Sequence, residues 1–519
     1  MSVSLPICRF ACVIFVGALT FVGRVNLATA AEANSLSAAI SSITTEELKQ
    51  HVNVLADDSF EGREAGSRGG RAAATYLGEQ FQKLKLAGAS AEKGYYQSFN
   101  ASSRNILAMI EGSDPELKKQ FIVIGAHYDH VGYGNRRNSH GPIGYIHNGA
   151  DDNASGTAGL LGVALAFTKL STPPRRSILF ALWDGEEQGL FGSKYWLDHP
   201  TVPLSQITFM FNSDMIGRLR KNSVEVLGSR TSPGLRRFVS EHNHGPLSLD
   251  FTWELKENSD HWPFVAHNVP VLMLFTGLHD DYHKPSDKAE RINAEGIQEV
   301  ARLYFTLACE MADADNTPTF RAAGRIETPE QRKVVETPLT PLPGRFGVGW
   351  SEVDDGEPGL KLTLVVSGSA GGRAGLRVGD RLLSFGGRDV KDREELRGWV
   401  VASPTDVEVT IQRPGEPTPK NVKVTLAGQP FRWGFNWRTD AAEPGSFIVS
   451  RVVPSSPAEK AGLLPSDRLN QINGRVLHDD REFAELVSSM SGSLDVVIER
   501  NGRIQTLTLQ PTDFSPAAK

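Results

Sequence analysis

Four short runs along the chain are apolar at consecutive positions: Phe121–Ile124, Ile178–Leu182, Ile207–Phe211 and Val271–Phe275. Unbroken apolar runs of this length are expected of strands covered on both faces, as in the sheet of an α/β domain. Around them the spacing turns helical. Thr45–Ala56 and Gly69–Leu86 read as helices, the second carrying Leu77, Phe81 and Leu84, and Gly156–Leu170, Leu235–His242 and Ala294–Ala312 come after them. The pattern predicts an α/β domain over 36–315, with a central, mostly parallel sheet flanked by helices. Asn316–Pro343 is rich in Thr, Pro and charge without clear periodicity and reads as a linker.

Beyond the linker the sequence repeats itself. Gly347-Val348-Gly349-Trp350 returns as Gly434-Phe435-Asn436-Trp437, Ala374-Gly375-Leu376 as Ala461-Gly462-Leu463, and Asp380-Arg381-Leu382 as Asp467-Arg468-Leu469. Gly387-Arg388 likewise returns as Gly474-Arg475, and one register, that of 347 and 434, holds throughout. A unit this long implies two tandem small domains, 344–428 and 429–513, and not a solenoid.

Composition narrows the picture. At 519 residues, 40% hydrophobic and 22% charged with a formal net charge of −6, the chain has no basic footprint for nucleic acid. Arg9, the apolar run Phe10–Val22 and the small residues Ala28-Thr29-Ala30 read as a secretory signal over 1–31, although an uncleaved anchor has the same first features. No later stretch is long and apolar enough to span a bilayer. The expected mature chain is therefore exported, periplasmic or extracellular. It would keep Cys309 alone of three cysteines, which leaves no internal disulfide.

The candidate chemistry lies just after each apolar run. Phe121–Ile124 leads into His127 and Asp129, Ile178–Leu182 into Glu186 and Glu187, Ile207–Phe211 into Asp214, and Val271–Phe275 into Asp280, Asp281 and His283. Asp151 and Asp152 come just before the Gly156 helix. Ligands of open α/β sheets bind outside the carboxyl ends of the strands. A lone acid or imidazole there is an ordinary loop residue, but four strands delivering them to one edge describe a metal site. Imidazole with carboxylate suits zinc, and with Cys309 as the one remaining cysteine a thiolate site is ruled out.

The strings Ala126-His127-Tyr128-Asp129-His130, Gly149-Ala150-Asp151-Asp152-Asn153-Ala154-Ser155-Gly156, Glu186-Glu187-Gln188-Gly189-Leu190-Phe191-Gly192-Ser193, Asp214-Met215 and Tyr282-His283-Lys284-Pro285 resemble the two-zinc aminopeptidase family. That family includes bacterial leucyl aminopeptidases, glutamate carboxypeptidase and the transferrin-receptor ectodomain. The likeness spans about 45–312. It implies two zinc ions, with His127 and Asp214 on one, Glu187 and His283 on the other, and Asp152 bridging both. It also implies a cis peptide after the bridging aspartate, Asp129 as the residue orienting His127, and Glu186 as general base. Asp151 is the alternative to Asp152. Ser259-Asp260-His261 resembles a further motif near the family's active site.

In the repeats, Phe346-Gly347-Val348 and Trp433-Gly434-Phe435 resemble the loop with which PDZ domains hold a peptide's terminal carboxylate, and two mainly-β PDZ-like domains are expected. Their partners would be peptides or protein C-termini, unless they serve packing or assembly. The resemblance implies a zinc peptidase that removes N-terminal residues, exported by the signal-like segment. A carboxypeptidase, a glutaminyl-cyclase-like enzyme or a non-catalytic scaffold on the same fold are the alternatives.

Overall fold

A computed structural model describes residues 35–511 apart from 101, 341–343, 352–355 and 491. The expected signal, 1–31, lies outside the described residues. The chain divides into two compact units: the first takes up the described residues to 224 together with 257–317, the second 225–256 and 318–511.

Seven strands of the first unit concern the site: β1 (Ala87–Gly88), β2 (Tyr96–Phe99), β3 (Ser103–Ile110), β4 (Phe121–His127), β5 (Ser177–Trp183), β6 (Ile207–Ser213) and β7 (Val271–Phe275). They run in the order β1-β3-β5-β4-β6-β7, with β2 also on β3. β5, β4, β6 and β7 are parallel to one another, whereas β3 lies antiparallel on β5 with Ile106 opposite Leu182. Each expected run is a strand, and β4 and β5 are buried at every position, as runs covered on both faces must be.

The covering helices are α1 (Thr45–Leu55), α2 (Arg68–Lys83), α3 (Gly156–Lys169), α4 (Phe191–Asp198), α5 (His261–Ala266) and α6 (Ala294–Asp313). Thr44 caps α1 through the amide of Glu47, and Ser67 caps α2 through that of Gly70. α3 is buried on almost every side, with Phe167 edge-on to Phe305 of α6 at 4.9 Å between ring centres. Its N-terminal end therefore sits rigidly at the carboxyl edge of the sheet. No helix among the described residues is long and apolar enough to cross a membrane.

The second unit holds two six-stranded antiparallel sheets of matching design. In the first, Val348–Trp350 and Leu360–Val365 pair, and helix Arg393–Ala402 comes later; in the second, Phe435–Arg438 and Phe447–Val452 pair, with helix Asp480–Ser489 in the corresponding place. Gly347 and Gly434 have φ of 70° and 83°, and a β-carbon on either would strike Ser369 or Ser456. Glycine is required at both turns.

Two features of this unit were not expected. The linker contains a helix, Pro329–Glu336, closed by a reciprocal cap between Thr328 and Gln331. It buries no residue of its own, so it leaves no apolar period in the sequence. In addition, 225–256 folds with the second repeat. Arg236, stacked on Phe251, pairs with Glu499 at 2.8 Å, and Arg230 over Trp253 is held by Glu327 and Asp440 at 2.6–2.9 Å. Backbone bonds from Leu249 to Asn501 and from Gly234 to Ala442 complete the seam.

Candidate metal centre

The parallel strands bring the expected residues to one edge. His127 ends β4, Glu186 and Glu187 stand in the turn after β5, Asp214 comes directly after β6, and His283 lies in the loop after β7. Asp152 arrives from the turn before α3, where Asp152 and Asn153 leave helical geometry and the bond between them is cis. This turn is held from below: the Asp287 carboxylate accepts the amides of Asp151 at 2.9 Å and Asp152 at 3.2 Å, and Arg218 in turn reaches Asp287 at 3.1 Å.

Two clusters of potential ligand atoms result, one of His127, Glu186 and Asp214, the other of His130, Asp152, Glu187 and His283, each with its atoms within 4.8 Å of one another. Asp152 faces both. Its Oδ1 lies 3.5 Å from His127 Nε2, and its Oδ2 lies 3.0 Å from His283 Nε2. His127 Nε2 is 3.3 Å from Asp214 Oδ1, and His283 Nε2 is 3.2 Å from Glu187 Oε2. Asp151 points elsewhere: its oxygens take the amide of Gly217, the hydroxyl of Ser155 and the His279 ring. Asp281 is likewise bound to Arg218, Arg291 and Ser286.

The donor set fits divalent cations. The buried Nε2 atoms of His130 and His283 make no hydrogen bond, although carboxylate oxygens surround His283. Imidazole nitrogens and carboxylate oxygens converging in two buried groups are the arrangement a cation completes.

Charge crowding sets the protonation. Burial alone would lower His283, but the carboxylates of Asp152 and Glu187 outweigh it and hold the ring up at about 11. His127 is likewise raised against its burial, by Glu186 and Asp214. Burial pushes Glu186 well above the carboxylate range, and Glu187, Asp260 and Asp214 add to it against the pull of His127. Glu187 moves the other way: burial would raise it too, but the rings of His130 and His283 outweigh burial. Adjacent glutamates are thus driven apart by their surroundings.

Supporting residues surround the ligands: His130, Asp129, Ser193, Ser259 and Asp260 belong to strings marked in the sequence, whereas Arg63 does not. His130 Nδ1 meets Glu187 Oε1 at 2.8 Å, and Ser259 donates to Asp214 Oδ2 at 2.6 Å. Asp260 accepts the Ser193 hydroxyl at 2.5 Å behind Glu186. Asp129 accepts the amides of Glu186 and Glu187 at 3.1 and 3.3 Å, while His127 Nδ1 is nearer the Asp129 carbonyl (3.2 Å) than its carboxylate (3.7 Å). Arg63, fully buried, donates to the carbonyls of Leu55, Tyr128, Asn148 and Gly149 and so ties together two ligand-bearing loops. A lone arginine among glycines has no periodicity to announce that role.

Residues 105–308 match peptidase family M28, and 362–413 and 448–500 match the PDZ domain. The chain is thus similar to peptidase family M28 over one stretch and to the PDZ domain over the two stretches that follow. Among the curated relatives of this chain are leupeptin-inactivating enzyme 1 of Streptomyces exfoliatus, 27% identical over 246 residues, and leucine aminopeptidase 1 of Trichophyton rubrum, 29% over 301. The alignments cover 47% of this chain and 51% of the first protein, and 54% and 77% for the second. The chain thus spans about half the length of the Streptomyces relative. Solved structures that resemble it include the LapA aminopeptidase of Legionella pneumophila, 20% identical over 55% of this chain and 75% of that one at a TM-score of 0.45. Another is the glutaminyl cyclase of Porphyromonas gingivalis, 19% identical over 51% and 98% at 0.43.

Proposed function

We propose that the protein is an exported two-zinc aminopeptidase that removes N-terminal residues from peptides. The observation that supports this most is Asp152, whose two oxygens face two separate ligand clusters. His127 and Asp214 would hold one cation, Glu187 and His283 the other, and Asp152 both. Bound there, a cation pair supplies a Lewis acid for the scissile carbonyl and an acidified water.

The remaining work falls to protein groups. Glu186 shares the His127–Asp214 cluster yet is left over from the ligand set, which places its carboxylate to take a proton from the attacking water and return it to the departing amine. Asp129 fixes its backbone from behind. His130 holds Glu187 in the ligating orientation. The PDZ repeats would dock peptides or protein C-termini.

The test is hydrolysis by the purified zinc-loaded protein of leucyl peptides and of the same peptides N-acetylated. An aminopeptidase cleaves the first set and leaves the second. Preferential cleavage at C-terminal bonds, or cyclisation of N-terminal glutamine without hydrolysis, would overturn the assignment.

A further inference from the structure

The excursion between β4 and the Asp152 turn, 131–149, supplies none of the expected ligands, yet it closes on the loop that carries His283. The Asn138 carbonyl accepts the N–H of His283 Nδ1 at 2.8 Å, and the His140 amide donates to the His283 carbonyl at 3.0 Å. Tyr282 is stacked on the His283 ring with 3.9 Å between centres, and the His140 ring lies 5.4 Å from both. A bond at one ring nitrogen fixes the tautomer of a ligating histidine and aims the other nitrogen. Here the other nitrogen is Nε2, which stands 3.0 Å from Asp152 and 3.2 Å from Glu187.

The direction of the Asn138 carbonyl is set in turn by its neighbours. Asn138 Oδ1 accepts the Asn135 amide at 2.8 Å, and Ser139 Oγ accepts the Gly141 amide at 3.1 Å, which closes the turn over 138–141. The Ser139 hydroxyl then reaches His147 Nε2 at 2.8 Å, the nearer of its two acceptors, since the Gly141 carbonyl stands at 3.0 Å. His147 is fully buried, although Arg136, Arg137 and His140 above it are exposed. Its Nδ1 donates to the Tyr145 carbonyl at 2.9 Å, and its amide donates to the Gly132 carbonyl at 2.8 Å. Gly134, with φ of 68°, packs so closely that a β-carbon there would fall 2.4 Å from the ring. Burial lowers the His147 pKa and keeps the ring neutral near pH 7. With Nδ1 as donor, Nε2 is then the acceptor that the Ser139 hydroxyl fills. His147 belongs to neither ligand cluster. A buried ring with both nitrogens satisfied makes the turn above it rigid.

We propose that His147 and Ser139 are positioning residues for the cation of Glu187 and His283. By pinning the 138–141 turn they aim the Asn138 carbonyl at His283 Nδ1, and so hold the imidazole in its ligating pose. The claim rests on the two-cation reading above and adds which buried pair governs one of the two ions. The other cation has a separate support, because His127 ends β4 and its Nδ1 faces the Asp129 carbonyl. Loosening the pin therefore acts on one ion and spares the other.

The test follows zinc leaving the full chain, loaded with two ions, after mixing with an excess of a chromogenic chelator. Relative to wild type, Ser139→Ala and His147→Phe should each release one ion at least about tenfold faster and leave the other within about twofold. Ser139→Thr, which keeps the hydroxyl, should stay near wild type. Ser139 is only partly buried, so Ser139→Ala carries the test even if His147→Phe fails to fold. Unchanged release from Ser139→Ala would overturn the proposal. So would equal acceleration of both ions without rescue by threonine, which is the mark of general loosening. Wild-type protein that binds a single zinc defeats the two-cation reading itself, whatever the variants do.

Discussion

Asp152 Oδ2 stands 3.0 Å from His283 Nε2 in a site where the same imidazole is held protonated to about pH 11. A cation ligated by that nitrogen must displace its proton, and the same holds for His127. Because the proton is present below the raised pKa, metal affinity increases with pH through neutrality and falls as the solution is acidified. Loading zinc at pH 7.5 should release about two protons per chain or more. Calorimetric titrations in buffers of different ionisation heats measure this, and heats independent of the buffer would show that the rings are already neutral.

Glu186 and Glu187 are neighbours with opposite environments. Glu186→Gln should keep the fold and both cations while turnover falls at least about a hundredfold. Glu187→Gln should instead lower metal content. Elemental analysis beside turnover separates the two, and a parallel fall in metal for both would reverse the assignment.

The seam between 225–256 and the second repeat bears on how the chain can be cut. A chain ending at Asp315 keeps Arg230 and Arg236 while losing Asp440 and Glu499, and it uncovers Leu249 and Phe251. Such a chain should aggregate, and the single change Glu499→Gln should already cost about 3 kcal/mol, because Arg236 and Arg468 lose their shared buried partner. Thermal melting of Glu499→Gln tests this; a midpoint within about 2 °C of wild type would mean that the seam is held by other contacts.

The strands and the ligand positions were legible because both obey one rule: fully buried strands are apolar throughout, and the residues just past their carboxyl ends line the ligand edge. The 87-residue register of 347 and 434 marked the repeats for a similar reason, since two copies must keep the same turns. Other features have no local signal because they depend on contacts distant in sequence. His130 gains meaning from Glu187, Arg63 from four carbonyls, and the 225–256 seam from Glu327, Asp440 and Glu499. None of these leaves a period. Helix Pro329–Glu336 was masked for another reason, since a segment that buries nothing has no apolar face to read.

Most direct for the central claim is the zinc content of the active protein, measured by elemental analysis alongside specific activity. An Asp152 shared between two clusters requires two zinc ions per chain at full activity, with Asp152→Asn lowering both content and rate. One zinc per chain at full activity would contradict it.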